Sequence, residues 1–119
     1  MLTAIALTLA VAQTPTHLAI EPWTGKNLPT TTAAAEKYRL TVSAEPGSTV
    51  HLRATGVAKG WIGAFCNMRV CAPLNIDQVI PASGSAVIQF ELIRESENGP
   101  KHTSATIISN DGESVSVPK

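Results

Sequence analysis

Cys66 and Cys71 are the only cysteines in the chain, and Asn67-Met68-Arg69-Val70 separates them. Three chemistries use a pair at this spacing. A disulfide would close a short ring and stiffen one loop, contributing on the order of 2 kcal/mol by the loop-entropy argument. A redox couple usually places its low-pKa thiolate in Cys-x-x-Cys at a helix N-terminus, whereas this pair is more widely spaced and follows the apolar run Trp61 to Phe65. A soft copper site would join Cys66, Met68 and Cys71 with one of His17, His51 or His102. A cupredoxin-type site needs a His shortly after its Cys, and none stands between Cys66 and Lys101. The disulfide is therefore the expected state, with no bound metal or other cofactor. Arg and Met are enriched at interface anchors, so a ring-closed Asn67, Met68, Arg69 and Val70 reads as a preorganised interaction loop.

Other reactive residue types form no constellation. The chain has no Gly-x-Ser-x-Gly elbow and no phosphate-binding glycine loop, and its serine-rich Pro81-Ala82-Ser83-Gly84-Ser85 reads as a turn. Glu91, Glu95 and Glu97 fall at a strand end and in a loop, where they read as solvated surface rather than an acid/base pair. His51, between Val50 and Leu52, points outward from its strand, and His102 sits beside Asn98-Gly99-Pro100; both read as solvated. His17 lacks the spacing of an amino-terminal copper site. No enzymatic activity is expected.

Composition narrows the class. Nine Lys+Arg balance nine Asp+Glu, with no run of like charge, so the basic footprint of a nucleic-acid binder is missing. Hydrophobic residues at 44% against 15% charged describe a chain able to bury a core. Residues 1–13 carry no charged side chain, and Leu2 to Val11 has the length of a signal-peptide h-region. Ala10-Val11-Ala12 supplies small residues for cleavage, so a leader over 1–12 is expected, although no Lys or Arg precedes its apolar run. The run reaches roughly a dozen residues, short of the about 20 that span a membrane. A periplasmic or secreted protein follows, with no membrane association once the leader is removed. Roughly 105 residues then remain, enough for one domain.

The elements that must position the Cys loop are strands. Residues 13–36 are rich in Thr, Pro and Ala and read as an arm, in which His17-Leu18-Ala19-Ile20, ended by Pro22, is suited to an edge strand. Helix is conceivable only around Ala33 to Tyr38. Over 37–119 the pattern is period two: Tyr38, Leu40, Val42 and Ala44 alternate with polar residues, as do Val50, Leu52 and Ala54. Trp61 to Cys66 reads as a central strand buried on both faces. A shorter, irregular strand is expected from Pro73 to Ile80, the longest around Ile88, Phe90 and Leu92, and two more at Thr103 to Ser109 and Val115 to Val117. Turns fall at Glu45-Pro46-Gly47-Ser48, Gly56 to Gly60, Asn98-Gly99-Pro100 and Asn110-Asp111-Gly112.

Seven short strands at about ten-residue spacing predict an all-β fold, an immunoglobulin-like antiparallel β-sandwich. The stretch from Glu45 to Pro118 resembles the Ig-like accessory domains of bacterial exported proteins, including major-sperm-protein-like and related sandwich groups. The resemblance rests on Pro46-Gly47-Ser48, on Trp61 after a glycine, on Pro81 to Ser85 leading into Val87-Ile88-Gln89-Phe90, and on Ile107-Ile108-Ser109-Asn110-Asp111-Gly112. It implies a spacer or protein-interaction module with a protein partner, and the Cys66–Cys71 loop departs from the generic pattern. A small periplasmic copper-binding or thiol-redox protein using Cys66, Met68 and Cys71 is the alternative. Four intervening residues hold the two cysteines to one loop, so the core around Trp61, Phe65, Ile88 and Phe90 is expected to stabilise the fold.

Overall fold

The computed structural model describes residues 14–24 and 36–118. The expected leader over 1–12 and the part of the arm over 25–35 lie outside the described residues, and with them residues 33–35 of the possible helix; its remaining residues, Glu36 to Tyr38, are strand instead. Among the described residues, no helix is long and apolar enough to cross a membrane.

Among the described residues, nine strands form two antiparallel sheets. In chain order they are β1 (His17–Pro22), β2 (Glu36–Ser43), β3 (Thr49–Thr55), β4 (Trp61–Cys66), β5 (Cys71–Pro73), β6 (Asn75–Val79), β7 (Ser85–Arg94), β8 (Ala105–Ser109) and β9 (Ser114–Val117). One sheet runs β1-β2-β7-β4-β5 and the other β6-β3-β8-β9. The packed pair of sheets is the all-β sandwich that the alternating pattern predicts.

Alternation explains which face each strand buries. Leu40 and Val42 of β2, Ile88, Phe90 and Leu92 of β7, and Val50, Leu52 and Ala54 of β3 are all buried in one core. Successive side chains of a strand point to opposite faces, so these same-parity residues meet between the sheets. Phe65 and Phe90 lie at the centre with ring centroids 5.0 Å apart and a 50° tilt, a pairing that adds about 0.5–1.5 kcal/mol beyond area burial. Trp61 is only partly buried and packs at the rim of this core, where its indole N–H donates to the Pro100 carbonyl at 2.7 Å.

His17–Pro22 is the edge strand to which the arm is suited: it pairs along β2 from His17↔Ser43 to Pro22↔Tyr38 and forms one edge of its sheet. From β2 onward there are eight strands where seven are expected. The irregular segment after the cysteines is two strands rather than one. Leu74 takes a φ of 70°, a left-handed turn that breaks the extended chain between β5 and β6. Its N–H donates to Gly63 O on one sheet at 2.9 Å, while its carbonyl accepts from Ala54 N on the other at 2.8 Å. One residue thereby carries the chain across the sandwich. The strand expected to be central, β4, lies between β7 and the three-residue β5, and the middle strand of that sheet is β7.

Candidate functional site

The β4–β5 hairpin carries the loop. Cys66 and Cys71 are direct partners across it, with Cα atoms 4.0 Å apart and sulfurs bonded at 2.00 Å. Within the ring, Asn67 organises every turn of the backbone. Its N–H donates to Val70 O at 2.9 Å, and its Oδ1 accepts from Arg69 N at 2.8 Å and Val70 N at 3.0 Å. This use of an Asn side chain as a local acceptor is what favours the residue in turns. The remaining group, Nδ2, donates to Gln78 Oε1 on β6 at 3.2 Å, tying the loop of one sheet to a strand of the other.

With its polar groups engaged inward, the loop presents apolar ones outward. Met68 is 77% exposed and Val70 47% exposed, with Arg69 also exposed between them. A cleft of about 430 Å3 lies between the loop and β6, lined by Asn67, Arg69, Val70, Asp77, Gln78 and Val79. Val79 adds a further exposed apolar side chain. The cleft has one cation, Arg69, on its loop wall, and Asp77 on its strand wall is in contact with His51 Nδ1. The four residues expected to form the interaction loop are thus together and exposed or partly exposed, with the Arg69 and Val70 backbone hydrogen-bonded to Asn67.

Behind the bridge the structure departs from expectation. Glu91 is 2% exposed and so is not the solvated strand-end residue expected of it, and Gln89 two residues before it is 0% exposed. The physical reason is position: both lie on β7, the middle strand, flanked by β2 and β4. Gln89 faces Arg39 on one side and Cys66 on the other, and Glu91 faces Lys37 and Ala64. On this outer face the Arg39 guanidinium lies 5.2 Å from the centre of the Trp23 ring. Gln89 Nε2 donates to Glu91 Oε2 at 3.4 Å, and Glu91 Oε1 stands 3.7 Å from Cys66 Sγ. Gln89 Oε1 is buried without a hydrogen-bond partner.

Cys66, Cys71 and Glu91 place their ligand atoms within 4.8 Å of one another, the one such three-residue group of His, Cys, Asp and Glu among the described residues. In the bridged form the sulfurs are not thiolates, and thiolates are what a soft metal binds. The histidines weighed for copper stand elsewhere: His17 lies 3.6 Å from Glu113, His51 contacts Asp77, and His102 is exposed. Glu95 and Glu97 are exposed, and Pro81 to Ser85 is a turn in which Gly84 N donates to Pro81 O at 2.9 Å. The signal that sequence reasoning passed over is the pair Gln89 and Glu91 inside the longest strand. Two long polar side chains two residues apart mark one face, and the Cys66 register puts that face against the bridge.

Fold and site together define a two-sheet antiparallel β-sandwich with a disulfide-closed loop between β4 and β5. Comparisons with protein-family models, with curated proteins and with solved structures return no match to this chain.

Proposed function

We propose that this chain is a non-catalytic, exported protein-interaction module of Ig-like type, which docks a protein partner through the Cys66–Cys71 loop. The observation that carries the reading is the contrast within Asn67 to Val70: the backbone is tied down by Asn67 while Met68 and Val70 are exposed. A preordered loop loses little conformational entropy on binding, and exposed apolar side chains beside an Arg supply the anchors. The partner that fits offers an apolar recess for Met68 and an acceptor for Arg69.

Strand order supports the Ig-like reading. With β5 and β6 set aside, the remaining strands run β1-β2-β7-β4 against β3-β8-β9. Lettered A to G in chain order, that is ABED against CFG, the arrangement of an Ig constant-type sandwich. The β5–β6 pair is then an insertion between D and E, and it is this insertion that builds the loop and its cleft. Export is supported by the disulfide, since such bonds persist in oxidising compartments. Removal of residues 1–12 as a leader belongs to the same proposal.

The test is a binding comparison on the mature protein. A Met68→Asp, Arg69→Glu double variant, with unchanged thermal unfolding, is expected to weaken partner binding at least tenfold. Equal binding by this variant would place recognition elsewhere. The alternative, thiol-redox reading is favoured by one observation, the approach of Glu91 to Cys66.

A further inference from the structure

Among the described residues the two sheets end in four edge strands, β1, β5, β6 and β9, and three of them carry or run into a proline turned outward. The bond from Trp23 N to Lys37 O sets the odd-numbered residues of β1 against β2, so Pro22 lies on the open side. Bonds from Asn67 N to Val70 O and from Leu74 N to Gly63 O fix the β4–β5 hairpin in the same way and leave Pro73 on the open side of β5. The bond from Ser109 N to Glu113 O does so for β8 and β9, and β9 runs straight into Pro118. A proline offers no N–H to an incoming strand and so closes an edge to pairing.

The exception is β6. Ala54 N donates to Leu74 O and Ile80 N to Ser48 O, bonds that bracket the strand and set Ile76 and Gln78 against β3. Asp77 and Val79 therefore turn their backbone groups to the open side, and no residue of Asn75–Val79 is a proline or lysine. The Val79 carbonyl accepts from Gln78 Nε2 at 3.0 Å, which leaves the Val79 N–H and both backbone groups of Asp77 at the cleft. The opposite wall of the cleft is the Cys66–Cys71 loop, with Arg69 and Val70. The Asp77 carboxylate is engaged by His51, whereas the Arg69 guanidinium forms no ion pair among the described residues. The charge that the cleft leaves without a partner is positive.

We propose that β6 takes an extended segment of the protein partner as an added strand, laid in the cleft between β6 and the loop and carrying a carboxylate that meets Arg69. This mode of binding rests on the loop-docking reading and specifies what the partner presents. Main-chain bonds to Asp77 and Val79 supply affinity, and alternate side chains supply selectivity. One set of side chains on the added strand continues the outer face with Asp77 and Val79. The other set turns, like Ile76 and Gln78, toward the loop, where Val70 receives an apolar residue and Arg69 an acidic one.

The probes are two synthetic octapeptides of alternating Thr and Val, capped at both ends, one with Glu and the other with Lys in place of a central Val. Amide hydrogen exchange on the folded protein reads their binding. The Glu peptide is expected to slow exchange at Asp77 and Val79 at least tenfold, and the Lys peptide to bind at least fivefold more weakly. Val79→Pro removes an outward N–H that β3 does not use and is expected to abolish the protection of Asp77, whereas Val79→Ala keeps it. Should Val79→Pro not fold, Arg69→Glu on the loop decides, and is expected to reverse the preference between the two peptides. Equal binding of the two peptides to wild-type protein would overturn the contact between the carboxylate and Arg69. Slowed exchange at Arg69 and Val70 without any at β6 would overturn strand addition while keeping the loop as the docking site. Protection on β1 or β9 instead would overturn both, and no protection by either peptide would overturn strand addition.

Discussion

Asn67 and Gln78 join the two sheets of the sandwich through one side-chain hydrogen bond, Nδ2 to Oε1 at 3.2 Å. The same Asn67 side chain accepts from Arg69 N and Val70 N, so a single residue both shapes the loop and fixes it to β6. Asn67→Ala removes all three contacts. Hydrogen bonds contribute about 0.5–1.5 kcal/mol each, and part of that is recovered from water at a partly exposed site, so a loss of about 1–2 kcal/mol is expected. Amide exchange at Arg69 and Val70 is expected to rise at least tenfold in this variant while the core strands keep their protection. Uniform acceleration across β3 and β7 would mean that Asn67 supports the whole fold.

The bridge itself is expected to act locally. Its ring contains few residues, and the loop-entropy relation gives about 2 kcal/mol for so short a closure. Cys66→Ala combined with Cys71→Ala should therefore unfold in urea as a single transition at lower denaturant, with an unchanged slope. A chain that no longer folds would assign the bridge a global role that its position in one hairpin does not explain.

Gly63 leaves almost no room for a side chain beneath Phe90. A Cβ built on it would meet Phe90 Cζ at 3.0 Å. Phe90 is fully buried and its ring packs against that of Phe65 at a 50° tilt, which leaves it little room to move. Gly63→Ala is expected to cost about 1–3 kcal/mol by overpacking, read as a lower urea midpoint. Phe90→Leu, which shortens the opposing ring, should restore part of the loss that Gly63→Ala causes. Additive losses in the double variant would exclude the clash as the cause.

Asp111 gives the fold an acid-sensitive contact. Its carboxylate accepts from Ser109 Oγ and from Thr16 N, the latter at 2.9 Å, anchoring the segment before β1 to the β8–β9 turn. These bonds, that of Ser109 first and then that of Thr16, hold its pKa down from 3.8 to about 2. A depressed folded-state pKa means that the carboxylate stabilises the fold above the unfolded value and loses that contribution as pH falls toward the folded one. The stability gap between wild type and Asp111→Asn should therefore be full above about pH 4 and close progressively toward pH 2. Thermal unfolding across that range reads it, and a gap that stays constant would show that the charge is not what holds Thr16.

How much of this could be read beforehand depends on the range of the interaction. Strands β2 and β3 are legible because alternation is a property of each segment alone: Leu40 and Val42, then Val50 and Leu52, mark their own buried face. The Cys66–Cys71 ring is legible for the same reason, since four residues of spacing admit a local closure. Leu74 is not, because a non-glycine residue at positive φ has no signature of its own and the crossing is imposed by Gly63 on one sheet and Ala54 on the other. Gln89 and Glu91 show the limit most clearly. Their alternation with Ile88, Phe90 and Leu92 identifies the face they occupy, but the depth of that face depends on Arg39 and Cys66 from strands far away in sequence. Asn67 and Gln78 likewise meet only because β5 and β6 lie in different sheets.

The central claim is that the Cys66–Cys71 loop is where this protein meets its partner, and site-specific photocrosslinking tests it most directly. A benzophenone amino acid would replace Met68 at the tip of the loop, and in a separate protein Lys101, which is exposed beside Pro100 at the opposite end of β4. Irradiation in the cell that makes the protein is expected to give one discrete adduct from position 68, competed by unlabelled wild-type protein, and none from position 101. An adduct that forms equally from both positions, or only from position 101, would contradict the account.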